Sequence, residues 1–449
     1  MPSSEPEPEL TATEALDRAQ ARIRHVTTSE KLSREVVNEI LSYCDVPSTI
    51  NLALTGPIFY NFVMGDEHHI AGRLMTSAIG TYLMPLAVAR YLAKDIYTER
   101  AKRRLEELLN PLPQAIMSFV DKIRPDMERY KRLVVEKYNP THVKFTLKMA
   151  YESLAFHSCV TYHSRQLQVQ TQHRSAEPGF NYPTDEEKQR FEKAVYIHQL
   201  SCDLFPAGVR PTDCYTGDPG PLESACAKFF RMFAPWEHHQ VRCVHQLLVK
   251  RIETAIYEET GEDEASKSHP LDWFVVQKGV EAFQTYECEG GPALVRAAER
   301  FERHFSDPDK YRRHSWYSRN DLLWLKLRSD GKNISFNVDH IFAEFPENDS
   351  GPRDIWFFTL LVSFSDNQLL WPAEFPDDIQ SLSEFAWLTE DGWWFWGREK
   401  LDRYTGGSLP TPRALREVSR TVETTSVDRY RREVLTGFLD ELLEPEVAR

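Results

Sequence analysis

The densest run of side chains able to do chemistry is Trp236-Glu237-His238-His239, followed by Cys243 and His245. Imidazole and thiolate are ligands that zinc prefers, and a site needs three or four of them converging on one point. On a helix His238, Arg242 and His245 share one face, at spacings of 4 and 3, while His239 and Cys243 share another. The potential ligands therefore diverge, and the chain has no His-Glu-x-x-His. Pro235 suits a first helical turn and Glu237 suits a helix N-terminus, so the run reads as a helix start with its histidines at surface or packing positions.

Three carboxylate pairs follow: Asp307 and Asp309, Asp377 and Asp378, Glu390 and Asp391. General acid–base catalysis needs two carboxyls in distinct environments at a defined separation, which neighbours in polar loops do not supply. Capping and turn roles account for all three, with Asp391-Gly392 a plain turn signal. Gly290-Gly291 and Gly406-Gly407-Ser408 lack the context of a phosphate loop or a nucleophile elbow. No catalytic residue, metal ligand or cofactor site is expected. The remaining concentration is aromatic: Trp387, Trp393, Trp394 and Trp396, with Trp371 nearby and Arg398, Lys400 and Arg403 just beyond. Such tryptophans ordinarily build core. The second reading is an aromatic-basic pocket for a substrate peptide, formed by Trp371, Trp387, Trp393, Trp394, Trp396 and Arg398, because Trp and Arg dominate recognition hot spots.

These residues have to be positioned by helices. Residues 1–28 read as a flexible acidic tail, 29–66 as a small trihelical module, 67–180 as a helical region and 181–449 as a mainly helical C-terminal region. Long apolar-periodic segments run through 76–110 and 141–167. Thr184 with Glu187 three residues on predicts a capped helix start, continued by Phe191, Ala194, Val195 and His198. Alternation is rare, and ISFNVDHIFAEF (334–345) is the best candidate strand. No period of 20–50 residues is visible, which excludes repeat arrays. The fold class is mainly α with little β.

Residues 32–63 read LSREVVNEILSYCDVPSTINLALTGPIFYNFV and predict three short helices. The first, from about Arg34 to Cys44, carries Val36, Val37, Ile40, Leu41 and Cys44 along one face. Pro47 opens the second, which turns Ile50, Ala53 and Leu54 inward. Gly56-Pro57 breaks the chain and begins the third, striped by Ile58, Phe59, Phe62 and Val63. About 35 residues bury little surface alone, so such a unit leans on its own chain or on a partner. Leu32, Tyr43 and Leu52 fall off the inward stripes, and surplus apolar residues on a small unit make a binding face.

The order Leu32, Glu-Val-Val-x-Glu-Ile-Leu, Asp-Val-Pro-Ser and Leu-Ala-Leu-Thr closely resembles the F-box motif, as found in F-box-like proteins of fungal type. The resemblance implies docking on a Skp-type adaptor of a cullin (SCF) ubiquitin ligase, with the remainder of the chain recruiting a protein substrate for ubiquitination. It places Leu32, Ile40, Leu41, Pro47, Ile50 and Leu52 against the adaptor. It covers about 35 of 449 residues, and it departs from the family at Ser33, where a proline is usual.

Composition agrees with a helical interaction protein. The chain is 41% hydrophobic and 27% charged, too apolar for disorder and sufficient for a large core. Its net charge of −14 does not suit phosphate backbones. Residues 71–150 carry 15 basic and 8 acidic side chains, a local +7 that long helices can solvate. The opening MPSSEPEPEL has neither the basic nor the apolar region of a secretory signal, and Ile355–Phe364, the longest apolar run, is about half a bilayer span. Seven cysteines without a C-x-x-C suggest a reducing compartment, cytoplasm or nucleus. Neither nucleic acid nor membrane is expected as a partner. Two other readings stay open: a non-catalytic helical interaction or structural protein with a degenerate module, and an enzyme whose site gathers His238, His245 and a distant carboxylate.

Overall fold

Helices in this chain begin where a side chain or a proline solves the problem of the first unbonded amides. The computed structural model describes residues 34–102, 112–130, 143–172, 183–205, 225, 228–230, 232–260, 275, 279–281, 283–285, 292–293, 295–298, 343–346, 349–356 and 393–404. After α1 (Arg34–Ser42), the Asp45 carboxylate accepts the Ser48 amide at 2.8 Å and starts α2 (Val46–Leu54), with Pro47 in its first turn. Pro57 opens α3 (Pro57–Gly65), and α4 (Glu67–Ile79) follows directly. These starts fall where the residues predict them. The long pattern across 76–110 does not stay one helix. Gly80 ends α4 at φ 79°, a left-handed conformation that glycine adopts without penalty, and its amide bonds the Thr76 carbonyl.

Beyond Gly80 come α5 (Met84–Lys102), α6 (Leu112–Tyr130), α7 (Leu147–Gln172), α8 (Asp185–Leu204), α9 (Pro235–Thr260), a 3₁₀ turn (Trp393–Phe395) and α10 (Arg398–Tyr404). Helix accounts for 86% of the described residues and no strand occurs among them, so the chain is mainly α there. The strand expected at 334–345 lies outside the described residues except for its last three, of which 343 and 344 are helical. The expected tail, 1–28, also lies outside them. No helix among the described residues is long and apolar enough to cross a membrane.

Two compact units result, one comprising residues up to Gly80 with Asn139–Ala155, the other Thr81–Tyr138 with Phe156 onward. In the first, α2 packs on α3 and α3 on α4 around Val37, Leu41, Val46, Ala53, Val63, Ala71 and Met75. Residues 143–146, just before α7, are held to α4: the Phe145 amide donates to His68 Nδ1 at 2.8 Å, and the two rings stack 5.1 Å apart. The Leu147 amide donates to Glu67 at 2.8 Å, which places a carboxylate at the N-terminus of α7. Gly72 allows the close approach, since a Cβ there would lie 2.9 Å from the Phe145 ring.

In the second unit α8 is central, packed on α5 and α9 and touched by the 3₁₀ turn, while α6 packs on α5. Its N-terminus carries the full capping box. The Thr184 hydroxyl accepts the Glu187 amide at 3.1 Å, and Glu187 accepts the Thr184 amide at 3.0 Å. From Ala194 to Leu204 every residue is buried, so this part of the helix has no solvent face.

Two glycines test the role of φ at helix ends. Gly80→Ala should cost about 1 kcal/mol and lower the melting temperature by several degrees, because alanine is strained at positive φ. Gly65→Ala, in a helical position with open space around it, should be neutral or stabilising by up to ~1 kcal/mol. Thermal denaturation of both variants is the check.

Candidate functional site

Helices α1–α3 hold the residues expected against a partner. In α1 the burial arc is narrower than the apolar stripe: Val37 and Leu41 point inward at 1% and 0% exposure, while Val36 and Ile40 stand at 44% and 37%. The Arg73 guanidinium donates to the Leu41 carbonyl at 3.0 Å and ties this turn to α4. In α2 the inward set is Val46, Thr49 and Ala53, not Leu54, which is exposed at the helix end. Pro47 is exposed, and Ile50 and Leu52 are half-buried. Leu32 lies outside the described residues. In α3 only Val63 is buried, and Ile58 is exposed.

Of the expected contact residues, then, Ile40 and Pro47 are accessible, Ile50 and Leu52 partly so, and Leu41 belongs to the core. Tyr43, Leu54, Ile58, Tyr60 and Met64 add exposed apolar surface to the same three helices. For α1 the signal was present in the spacing, since Val36, Ile40 and Tyr43 stand at i, i+4 and i+7 and form a stripe of their own.

The described part of the aromatic-basic cluster is engaged inside the chain. Trp371 and Trp387 lie outside the described residues, as does the side chain of Trp393. Trp394 is buried, stacks on His239 with ring centres 4.2 Å apart, and accepts the Gln240 side-chain amide on its carbonyl at 2.8 Å. Trp396 is buried with the Lys400 ammonium 4.6 Å over its ring. Phe395 stacks on Phe191 of α8 with ring centres 3.6 Å apart. These faces already have partners from α8, α9 and α10.

Arg398 is likewise committed. Its Nε donates to both Asp402 oxygens at 2.9 and 3.0 Å, and Nη1 reaches Asp354 at 3.1 Å. Burial works against the guanidinium charge, yet Asp402 and Asp354 outweigh it and raise its pKa. From α8, Arg190 donates to the Phe395 carbonyl at 3.0 Å and pairs with Asp349 at 3.2 Å. Asp349 also accepts the Arg398 amide at 2.8 Å and the Gly351 amide at 3.0 Å. Burial pushes the Asp349 pKa up, but Arg190 and these amides prevail and hold it below the usual carboxylate range. Glu187 adds a third bond to its capping role, accepting the Gly397 amide at 3.0 Å. Sequence spacing showed Glu187 only as a cap, and gave no sign that it would reach Gly397, or that Arg190 would reach Asp349, across more than 150 positions.

The histidine-rich helix start forms as expected at Pro235, with Glu237 Oε2 accepting the Ala234 amide at 2.7 Å. Glu237 also forms a buried ion pair with Lys193 of α8. His238 is buried and bonds the Phe230 carbonyl at 2.8 Å, whereas His245 is buried and faces His198 of α8 at 3.4 Å. Cys243 is buried. Among the described residues no group of three or more His, Cys, Asp or Glu could hold a metal ion.

The Arg190 node can be tested by deletion. Arg190→Met should destabilise the second unit by about 2 kcal/mol, because it removes the cation from the half-buried Asp349 carboxylate and strands the buried Phe395 carbonyl. Faster limited proteolysis within 393–404 should accompany the loss. Glu187→Gln keeps a single acceptor oxygen, which can serve the Thr184 amide or the Gly397 amide but not both, and should cost about 2 kcal/mol.

Compared with the known protein families, with curated proteins and with solved structures, the chain matches none of them.

Proposed function

We propose that this chain is a substrate receptor of a cullin-type ubiquitin ligase, which docks on a Skp-type adaptor through an F-box-like module at α1–α3 and recruits a protein through the rest of its length. The observation that carries the reading is the residue order from Leu32 to Val63, with Glu-Ile-Leu, Asp-Val-Pro-Ser and Leu-Ala-Leu-Thr in register with three short helices. Its support is the apolar surface those helices present at Val36, Ile40, Tyr43, Leu54, Ile58, Tyr60 and Met64. Such residues are ordinarily covered by a partner. The role is proximity: the receptor raises the concentration of substrate lysines near a ubiquitin-charged enzyme and performs no bond chemistry itself. It places the protein in the cytoplasm or nucleus.

A second reading, a helical interaction protein whose module no longer binds adaptor, is favoured by two particulars. Leu41 is fully buried and serves the chain's own core, and Ser33 stands where the family has proline.

The test is binding of the full chain to a purified Skp-type adaptor, measured by calorimetry. Wild type should bind, and Ile40→Glu with Leu52→Glu should weaken binding by roughly 30-fold or more, the size of a lost hot spot of ~2 kcal/mol. A melting curve must show that this variant stays folded. Leu41→Asp is unsuitable as a probe, since a charge at that position should unfold the first unit. No binding by wild type gives the second reading precedence.

A further inference from the structure

Three helices of the second unit meet at buried imidazoles. His163 on α7 and His198 on α8 are each 0% exposed, and His245 on α9 is 5% exposed. The hydrogen bonds around His163 settle its protonation state by chemistry alone. Arg251 of α9 lies 3.3 Å from Nδ1, and a guanidinium only donates, so Nδ1 must be the unprotonated acceptor. The Val280 carbonyl lies 2.9 Å from Nε2 and only accepts, so Nε2 carries the hydrogen. A second proton has one place to go, Nδ1, where it would face a guanidinium donor and a second positive charge.

His198 is fully enclosed by other groups. Its Nε2 lies 3.4 Å from His245 Nδ1, and its Nδ1 lies 3.7 Å from the Cys202 thiol of its own helix. His163 acts on it from α7 as a third imidazole. Tyr162 stands edge-on to His163 with ring centres 5.2 Å apart, and the Cys159 thiol shares the Val280 carbonyl at 3.6 Å. The carboxylates on the adjoining turns, Asp203 and Glu281, are drawn to Arg90 of α5. The groups named around these imidazoles are thus cationic, neutral or another imidazole.

We propose that the α7–α8–α9 junction is an acid-operated latch: it closes only around neutral His163 and His198, and mildly acidic conditions open the second unit there. The direction of the effect follows from burial. Burial first, and Arg251 second, hold the His163 pKa down to about 4. Burial, His245 and His163 hold His198 well below its ordinary range. Above the ordinary histidine pKa of ~6.5 neither the closed nor the open form binds a proton, and pH has no effect through these groups. Between there and about 4 the open form takes up protons that the closed form refuses, and stability falls. Each histidine makes the opening equilibrium rise about tenfold per pH unit in that window. Carboxylates of lowered pKa, such as Asp349, act below it.

The test compares urea unfolding of the full chain from pH 7.5 to 4.5 with that of His163→Gln/His198→Gln. Glutamine can accept from Arg251 and donate to Val280 but does not titrate. Wild type should lose stability steeply below pH 6.5, and the variant should lose that slope while other acid-sensitive groups keep theirs. Equal slopes in both proteins overturn the proposal. Should the variant fail to fold, carbon-13 histidine labelling of wild type decides. The His163 and His198 ring signals should stay fixed in the folded protein from pH 8 to 5, and free titration near 6.5 would sink the idea.

Discussion

Helix α8 is buried on every side from Ala194 to Leu204, yet it carries Tyr196, His198, Gln199, Ser201 and Asp203 within that span. A buried polar group without a partner costs several kcal/mol, so each of these has to be answered by a neighbour. The answers organise the second unit. Tyr196 meets His157 of α7 at 3.3 Å, and burial pushes the phenol's pKa up. His198 meets α9, the Gln199 side chain accepts the Val280 amide at 2.8 Å, and Asp203 is approached by Gln199 at 2.8 Å and by Arg90 of α5. The enclosed part of one helix therefore dictates the position of four other segments.

The same constraint governs the exposed end of α8. Glu187 and Arg190 lie almost wholly out of water, and their charges are matched by the peptide amides and side chains of 349–356 and 393–404. Gly351 is needed there, because a Cβ would collide with the Trp396 carbonyl. Of the residues that look like a recognition pocket in the sequence, Trp394, Trp396 and Arg398 thus act as internal attachment. The apolar surface at α1–α3 is of the opposite kind, since Tyr43 at 81% and Leu54 at 74% exposure are held in water by a unit whose core is already filled. That contrast is why the proposed docking function rests on the first unit.

Local chemistry was legible from residue order. Asp45, Pro47, Pro57, Thr184 with Glu187, and Pro235 each solve a helix start within four residues, and each stands where a start occurs. Facing was less legible. In α1 five apolar residues satisfied one broad stripe, and only packing against the rest of the first unit decided that Val37 and Leu41 go inward while Val36 and Ile40 stay out. The break at Gly80 was hidden because apolar periodicity continues on both sides of it, and periodicity does not report φ.

The sequence by itself determined the helical class, the places where helices begin and the presence of a short trihelical pattern, because caps, prolines and apolar spacing act over a few residues. Tertiary structure decided which polar residues would become structural. Arg190 and Asp349 are 159 positions apart, and Arg90 and Glu281 are 191 apart. Neither pairing has a local signature. Each follows from the burial of an arginine, Arg190 on α8 and Arg90 on α5, which removes water as its partner and leaves only whatever the fold brings near.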